Sequence, residues 1–305
     1  MPWLRREALA NGEDDRSIAR RVRSGEWHRV RRGAFIGGAF WATLRAEDQH
    51  RVLARAVLKT AHPTAVLSHL SAAVELGAPT YDVDLEQVHL TRTDGHPGRK
   101  AAGVVHHCGA LLTGAVIERH GLPLVDGTRA AFEMTTIADI ESALVTVNGL
   151  LHSKAADHDA LAQLVRQAKH WPHSLRSDLV TRLADGRCAS PGESRSLHLF
   201  WREGLPRPQP QYPISDSSGR IVAWCDFAWP ERGVFLEFDG RAKYERLVPP
   251  GQTGVDIMLA QQRREELICR LTGWVCIRLT WEDLARPRAT AQRIRRMLDS
   301  QGRAA

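Results

Sequence analysis

Two short β-strands joined by a tight turn constrain the last third of this chain most. Residues 221–229 and 234–240 are rich in β-branched and aromatic side chains, and residues 230–233 between them contain Pro and Gly in a turn pattern. A hairpin centred within that turn places Asp226 directly opposite Glu237. The sequence therefore predicts two carboxylates that face each other across paired strands.

These facing carboxylates predict a cation site. Like charges directly opposite on a sheet are destabilising, by roughly 3 kcal/mol at about 5 Å and an effective dielectric near 20. A cation between Asp226 and Glu237 would remove that cost, and ligands that are all oxygen suit Mg²⁺, Mn²⁺ or Ca²⁺. Asp239 lies two residues after Glu237 and shares its face. Without a metal, the pair would instead hold a proton on the carboxyl whose pKa is raised.

The composition is that of a globular protein of two or three domains. The chain has 305 residues, of which 43% are hydrophobic and 25% charged. No apolar run reaches the roughly 18 residues of a membrane span, and no apolar signal-peptide core follows the first residues. The five cysteines are widely spaced, so neither a disulfide framework nor a zinc site is predicted. We therefore expect a cytoplasmic protein with no membrane partner.

The positive charge lies at the two ends of the chain. Residues 1–45 contain 10 Lys and Arg against 5 Asp and Glu, residues 46–192 contain 14 against 16, and residues 193–305 contain 18 against 14. Only 5 of the 42 basic residues are Lys, and Arg forms the better fork for phosphate. This distribution predicts two modules that face nucleic acid on either side of a spacer. The alternative is an Arg-rich surface without a nucleic-acid role.

The first 45 residues have the element order of a winged helix. A short helix over residues 3–10, a second helix over 16–24 capped by Asp15, and a basic hairpin over 27–36 are predicted. The second helix would enter the major groove of duplex DNA, and the hairpin would lie on phosphates. The side chains expected to contact DNA are Arg16, Arg20, Arg23, Arg29, Arg31 and Arg32. The alternative is a small helical cap with solvated arginines.

The N-terminal and middle parts resemble AbiEi-type antitoxin proteins. The segments that carry the resemblance are residues 17–36, which close on Arg32-Gly33-Ala34-Phe35, then Ala65-Val66-Leu67-Ser68-His69-Leu70-Ser71, Gln87-Val88-His89-Leu90-Thr91 and Gly121-Leu122-Pro123-Leu124-Val125-Asp126. The resemblance implies a winged helix at the N-terminus, repression of the protein's own operon, and a nucleotidyltransferase-type toxin as partner.

The middle of the chain, residues 46–185, is predicted as a mixed α/β domain. Helices are expected near residues 46–60, 68–76, 127–151 and 157–184, and strands at 86–91 and 103–107. His106 and His107 are adjacent, and neighbouring strand residues point to opposite faces, so they are not expected to chelate one ion together.

The last third is predicted to fold in the order αβββαβα. A helix opens at Ser190-Pro191-Gly192-Glu193, in which Glu193 also fits a capping box. A strand near 209–215, the hairpin, a helix over 255–271, a strand over 274–280 and a helix over 288–299 follow. Arg263 and Arg264 are expected on a solvated face of the 255–271 helix.

Residues 188–300 resemble the PD-(D/E)XK nuclease superfamily, in its small branch related to very-short-patch-repair endonucleases. The matching segments are Ser190-Pro191-Gly192-Glu193-Ser194-Arg195, Asp226-Phe227-Ala228-Trp229-Pro230, Glu237-Phe238-Asp239-Gly240 and Gly273-Trp274 with Arg278-Leu279-Thr280-Trp281-Glu282-Asp283. Such domains cut DNA phosphodiesters with a divalent metal.

The nuclease resemblance implies a role for each acidic residue. Asp226 and Glu237 would be metal ligands, and Glu193 would assist from its helix. Asp239 occupies the position where the superfamily has its catalytic Lys, and Lys243 lies close by in the following loop and would supply the missing cation.

We therefore expect an α+β multidomain protein. Its predicted parts are a winged helix (1–45), a mixed α/β middle domain (46–185) and a restriction-endonuclease-like αβββαβα domain (186–305). The predicted function is a DNA-binding protein with an Mg²⁺- or Mn²⁺-dependent endonuclease-like domain. The alternatives are a non-catalytic AbiEi-like antitoxin and repressor with a degenerate nuclease domain, and a toxin-binding interaction protein.

Overall fold

The computed structural model describes residues 1–94, 99–108, 115–171, 173–240 and 253–301, and Lys243 lies outside these ranges. The chain is an α+β protein of two compact units, Met1–Arg182 and Leu183–Ala305. The division lies three residues before the boundary predicted after residue 185. The boundary predicted after residue 45 lies inside the first unit.

The first unit begins with a small antiparallel sheet and two short helices. The elements are β1 (Trp3–Leu4), α1 (Arg5–Ala10), α2 (Asp15–Arg23), β2 (Trp27–Arg31), β3 (Ala34–Gly37) and α3 (Gly38–Thr43), and the strand order is β1-β3-β2. Helix α2 begins one residue earlier than predicted because Asp14, not Asp15, is its N-cap and accepts the Ser17 N–H at 2.6 Å. Ile18 packs with Phe35 in the small core between α2 and β3.

A six-stranded mixed sheet forms the rest of the first unit, with strand order β6-β7-β5-β4-β9-β8. Its elements are α4 (Ala46–Leu58), β4 (Ala65–Leu67), α5 (His69–Glu75), β5 (Val88–Arg92), β6 (Arg99–Ala101), β7 (Val104–His107), β8 (Val116–Arg119), β9 (Leu122–Val125), α6 (Gly127–Ile137), α7 (Ile140–His152), α8 (His158–Gln167) and α9 (Ser174–Leu183).

The prediction for this region was right for two strands and two helices and wrong for two longer helices. Strands β5 and β7 and helices α4 and α5 lie close to where they were expected, while the short strands β4, β6, β8 and β9 were missed. The long helix predicted over 127–151 is two helices, since Asp139 caps a new one by accepting the Ser142 N–H at 3.0 Å. The helix predicted over 157–184 is likewise divided into α8 and α9.

In its described residues, the second unit follows the predicted αβββαβα order, with one additional short α-helix and a 3-10 turn at Pro230–Arg232. Its elements are α10 (Pro191–Arg202), β10 (Gln209–Ser215), β11 (Ile221–Trp229), β12 (Val234–Phe238), α11 (Gly254–Thr272), β13 (Val275–Leu279), α12 (Trp281–Ala285) and α13 (Pro287–Gln301). The strand order is β10-β11-β12-β13; the first three strands are antiparallel, and β12 pairs with β13 in parallel. Helix α12 was missed because it is a single turn, capped by Thr280.

The core of the second unit brings the start of α10 against the end of β12. Phe200, Phe227 and Leu236 are buried in one cluster, which Phe238 flanks. A Cβ on Gly192 would lie 2.1 Å from the Phe238 ring, so only glycine allows this approach. The N-terminal turn of α10, which carries Glu193, is thereby held beside the strand that carries Glu237.

Within the described residues, no helix combines the length and the apolar character that crossing a bilayer requires.

Candidate functional site

The register of the central hairpin follows the prediction. Phe227 pairs with Leu236, Ala228 with Phe235 and Trp229 with Val234, around a turn in which Gly233 has a φ of 58°. One more step along the same register brings Asp226 opposite Glu237. At this end of the hairpin the two strands are joined by a side-chain hydrogen bond, in which Asp226 Oδ2 accepts the Phe238 N–H at 2.8 Å.

Glu193 takes part in capping the start of α10, but its side chain does not accept the Ser190 backbone N–H that a capping box requires. Its Oε1 accepts the Ser190 hydroxyl at 2.6 Å, and its Oε2 accepts the Ala189 N–H at 3.0 Å. The side chain is buried, and these bonds hold it in one position. The structural role that the sequence allowed for Glu193 is therefore present in part, and it leaves the carboxylate directed into the space beside Asp226.

Gln211 links the two carboxylates, and it was not among the predicted site residues. Its amide Nε2 lies 3.1 Å from Glu193 Oε2 and 3.5 Å from Asp226 Oδ1. Gln211 lies on β10 with a φ of 46°, in the left-handed region that non-glycine residues rarely occupy. The register pairs its neighbours Pro210 and Tyr212 with β11, which places Gln211 across from Asp226. The hairpin rule counted from the turn after β10 would have missed this position by one residue, because the register shifts between Ile214 and Ser215.

Glu237 is the most perturbed acid of the site. It is 3% exposed, and burial, together with the charge of Asp226, raises its pKa to about 8. The guanidinium of Arg264 on α11 forms an ion pair with Glu237 Oε2 and opposes this shift. Glu237 Oε1 is buried and has no hydrogen-bond partner among the described residues.

The position of Arg264 corrects the expectation that this side chain lies only on a solvated face of its helix. The side chain is 43% exposed, yet its guanidinium contacts the buried carboxylate. The sequence does not predict this pair, because Glu237 and Arg264 are 27 positions apart. Only the packing of α11 on the sheet brings the two side chains together.

Asp239 lies just beyond the end of β12. Its N–H donates to the Leu279 carbonyl at 2.7 Å, which extends the parallel pairing toward β13. Its Oδ1 is buried and has no hydrogen-bond partner within the described ranges. Two acidic oxygens, one on Glu237 and one on Asp239, are therefore buried without a donor, and buried oxygens of this kind are costly unless something satisfies them.

The donor set fits a divalent cation in chemistry. Asp226, Glu237 and Asp239 offer oxygen atoms, which Mg²⁺ and Mn²⁺ prefer, and two of those oxygens have no other partner in the described part of the chain. In residues 1–94, 99–108, 115–171, 173–240 and 253–301, no group of three or more His, Cys, Asp or Glu side chains is already gathered as a metal cluster. Asp226 and Glu237 are the residues that would hold the ion.

The N-terminal arginines predicted to contact DNA are mostly exposed. Arg16, Arg20 and Arg23 lie on α2, Arg29 lies on β2, and Arg32 lies in the turn after it; all five are exposed, and none forms an ion pair with a described residue. Arg31 differs because it is half-buried, and burial lowers its pKa. Five of the six arginines thus present free charge at the surface of the first unit.

Comparison with known proteins identifies relatives of this chain. Two proteins of Mycobacterium tuberculosis, named uncharacterized protein MT2308 (strain CDC 1551 / Oshkosh) and uncharacterized protein Rv2248 (strain ATCC 25618 / H37Rv), are each 30% identical to it over 242 residues. The match covers 76% of this chain and 82% of each relative, so the chain belongs to the same family as these two proteins. No protein-family model matches the chain.

Proposed function

We propose that this protein binds duplex DNA through its first unit and hydrolyses DNA phosphodiesters with its second unit in the presence of Mg²⁺ or Mn²⁺. The observation that carries the proposal is the hairpin register, which brings Asp226 beside the buried Glu237 and leaves Glu237 Oε1 without a donor in the described structure. A buried oxygen without a donor calls for a partner outside the described residues, and a bound cation would supply one.

Each residue of the site has a separate task in this proposal. Asp226 and Glu237 hold the cation, which when bound activates a water and neutralises charge on the scissile phosphate. Gln211 orients Asp226 and ties it to Glu193, which is itself fixed by Ser190. Arg264 neutralises Glu237 in the metal-free protein. We propose that Lys243 supplies the positively charged side chain of the catalytic lysine, because Asp239, which stands at the lysine position, is acidic.

The exposed arginines of the first unit support the DNA-binding part of the proposal. Arg16, Arg20 and Arg23 recur at helical spacing on α2, and Arg29 and Arg32 extend the charge onto the hairpin. We propose that this part is a winged helix and that α2 meets the major groove. Duplex DNA as partner agrees with the cytoplasmic location that we expect from the sequence.

A second candidate is a non-catalytic DNA-binding repressor of the AbiEi type, with a nucleotidyltransferase-type toxin as partner. Two observations favour it: Asp239 stands at the lysine position, and Arg264 already neutralises Glu237 without a metal. In this alternative, the second unit keeps its fold but does not hydrolyse DNA.

Metal-dependent thermal stability and DNA cleavage together separate the two functions. Saturating Mn²⁺ should raise the melting temperature of the wild type, since an ion at 100 times its Kd stabilises by about 2.7 kcal/mol. Asp226→Asn should lose that response and be equally or more stable without metal, because one of two facing charges is removed.

The same samples are assayed for cleavage of supercoiled plasmid and linear duplex. A response to Mn²⁺ together with cleavage supports the nuclease. A response without cleavage favours the repressor with a degenerate site. A wild-type melting temperature that is indifferent to millimolar Mn²⁺, or an Asp226→Asn variant that cleaves at the wild-type rate, contradicts the metal site.

A further inference from the structure

A cavity in the first unit is lined by polar groups that have no role in the proposed function. Its volume is about 270 Å³, which is enough for several water molecules or a small ligand. The walls come from α5, β5, β7, α6 and the segment after α8, and the residues that matter most are His69, Thr91, His107, Arg129, Phe132 and Trp171.

The guanidinium group of Arg129 is buried, and only one of its three nitrogens is hydrogen-bonded to a described residue. Its side chain is 5% exposed, and its Cζ lies 5.6 Å from the centroid of Phe132 and 5.4 Å from that of Trp171. The Nε donates to Glu133 Oε1 at 2.7 Å. Its two terminal nitrogens have no hydrogen-bond partner among the described residues, so up to four N–H donors lack an acceptor there.

Glu133 does not pair with those terminal nitrogens, and each of its oxygens already has another contact. Oε1 accepts from Arg129 Nε, and Oε2 accepts the His69 N–H at 2.8 Å and lies 3.2 Å from His69 Nδ1. Glu133 is 2% exposed and neutralises the charge of Arg129 without covering the open side of the guanidinium. A further acceptor must therefore come from outside these two residues.

Thr91 offers a second, independent unsatisfied group at the same cavity. The residue is 1% exposed, and its Oγ1 is buried with no hydrogen-bond partner within the described ranges. It lies on β5, directly opposite His107 on β7. A buried hydroxyl without a partner costs stability unless a ligand or water completes it.

The histidines around the cavity supply a flat, uncharged wall. The rings of His69 and His107 are stacked at 3.5 Å, and His107 Nε2 lies 2.8 Å from His89 Nδ1. Burial lowers the pKa of His107 to about 4 and that of His89 to about 3, so both rings are neutral near pH 7. His69 holds its place with a φ of 49°, a conformation that a non-glycine residue rarely adopts.

We propose that this cavity binds a small organic acid with a flat apolar body, whose oxyanion is held by the terminal nitrogens of Arg129 and the hydroxyl of Thr91. A guanidinium fork matches the two oxygens of a carboxylate or the face of a phosphate, and such charge-assisted bonds are strong. The histidine stack, Phe132 and Trp171 provide the apolar walls for the body of the ligand. The proposal does not depend on the second unit or on DNA cleavage.

Calorimetry on the full chain tests the proposal with three small probes of similar shape. Benzoate and phenyl phosphate carry the oxyanion on an aromatic ring, and benzamide is the neutral analogue of benzoate. We expect saturable 1:1 binding of at least one acid, and binding of benzamide at least about tenfold weaker, because it lacks the charge that the fork pairs with. The preferred acid distinguishes a carboxylate from a phosphate ligand.

Two variants and one matched control locate the binding. Arg129→Lys keeps the charge but loses the fork, and it should weaken binding about tenfold or more. Thr91→Val removes only the hydroxyl and should weaken binding by roughly 2- to 12-fold. Arg55→Lys alters another buried pair, since Arg55 lies 2.7 Å from Glu75, but it lies outside the cavity and should leave binding unchanged.

Three results would overturn the proposal. The first is no saturable heat with either acid up to about 10 mM. The second is equal affinity for benzoate, phenyl phosphate and benzamide. The third is an Arg55→Lys variant that weakens binding as much as Thr91→Val does. If Arg129→Lys does not fold, the benzamide comparison and Thr91→Val still decide the matter.

Discussion

The two units each contain a buried Glu paired with an Arg, and the two pairs differ in which partner has unused hydrogen-bonding groups. In the first unit both oxygens of Glu133 are used, and the terminal nitrogens of Arg129 have no partner among the described residues. In the second unit Arg264 reaches one oxygen of Glu237, and the other oxygen has no donor in the described structure. The first arrangement suits an anion and the second suits a cation.

The surroundings of the two pairs explain this difference. Arg129 is 5% exposed and lies one helical turn before Glu133 on α6, so neither side chain can move away from the other. Arg264 is 43% exposed and comes from a different element than Glu237, whose pKa is also raised by the nearby charge of Asp226. A pair on one helix is fixed by local geometry, whereas a pair between elements can be opened by a ligand.

The largest expected effect is on the DNA cleavage that we propose for the second unit. Asp226→Asn should reduce Mn²⁺-dependent DNA cleavage by about three orders of magnitude, because removing a metal ligand withdraws several kcal/mol of transition-state stabilisation. Plasmid-nicking rates measure this. Asp216→Asn is the matched control, since Asp216 lies in the turn before β11 and accepts the Ser218 N–H at 2.9 Å there. A similar loss in both variants would count against a specific role for Asp226.

The next effect compares the stabilities of the two pairs. Glu133→Gln should destabilise the first unit by about 3–5 kcal/mol, because it leaves a buried guanidinium without its counter-charge. Near neutral pH, Glu237→Gln should instead leave the second unit equally or more stable, because the raised pKa of Glu237 means that folding disfavours its ionised carboxylate and solvent screens the 43% exposed Arg264. Urea unfolding, with hydrogen exchange to assign each transition to its unit, measures both.

An exposed glutamate provides the control for that comparison. Glu231→Gln in the hairpin turn should change stability by less than about 0.5 kcal/mol. Equal losses from Glu133→Gln and Glu237→Gln would remove the distinction between the two pairs.

A smaller effect is the pH dependence of the metal-free second unit. The pKa of Glu237 is raised in the folded protein from 4.5 to about 8, so the folded state binds the proton more tightly than the unfolded state. The stability contributed by this group is fully present below pH 4.5 and is lost as the pH rises toward 8, at up to about 1.4 kcal/mol per pH unit.

Unfolding free energies measured between pH 5 and 8 test this slope. Glu237→Gln should flatten it, because the amide does not titrate in this range, and saturating Mg²⁺ should change it by favouring the ionised carboxylate. A wild type and a Glu237→Gln variant with the same slope would show that Glu237 is not the group responsible.

The smallest effect concerns the proposed DNA-binding face of the first unit. For every phosphate that Arg20 or Arg23 neutralises, the Arg20→Ala/Arg23→Ala variant should have a log K against log salt slope that is smaller in magnitude by about 0.9. Fluorescence anisotropy across a salt series measures the slope. Arg182→Ala is the control, because Arg182 lies on α9 and pairs with Asp178 at 3.0 Å. Slopes that do not differ from the wild type would mean that α2 does not contact phosphate.

Much of the second unit was predictable because its signals are local. Turn residues and strand composition predicted the hairpin and its register, and Ser190 with Glu193 predicted the start of α10. Asp226 and Glu237 followed directly from that register. The first unit was less predictable, because strands of three or four residues such as β4 carry too little periodicity to be recognised.

The sequence by itself determined which carboxylates oppose each other, since a hairpin pairs residues at a fixed offset from its turn. Tertiary structure alone decided what surrounds them. Gln211 reaches Glu193 and Asp226, and Arg264 reaches Glu237, only after β10 and α11 have packed. The cavity at Arg129 was likewise decided by packing, because its walls come from five separate segments and no spacing rule joins them. Contacts within one turn of chain are encoded by local geometry, and contacts between distant elements depend on how the whole sheet and its helices exclude water.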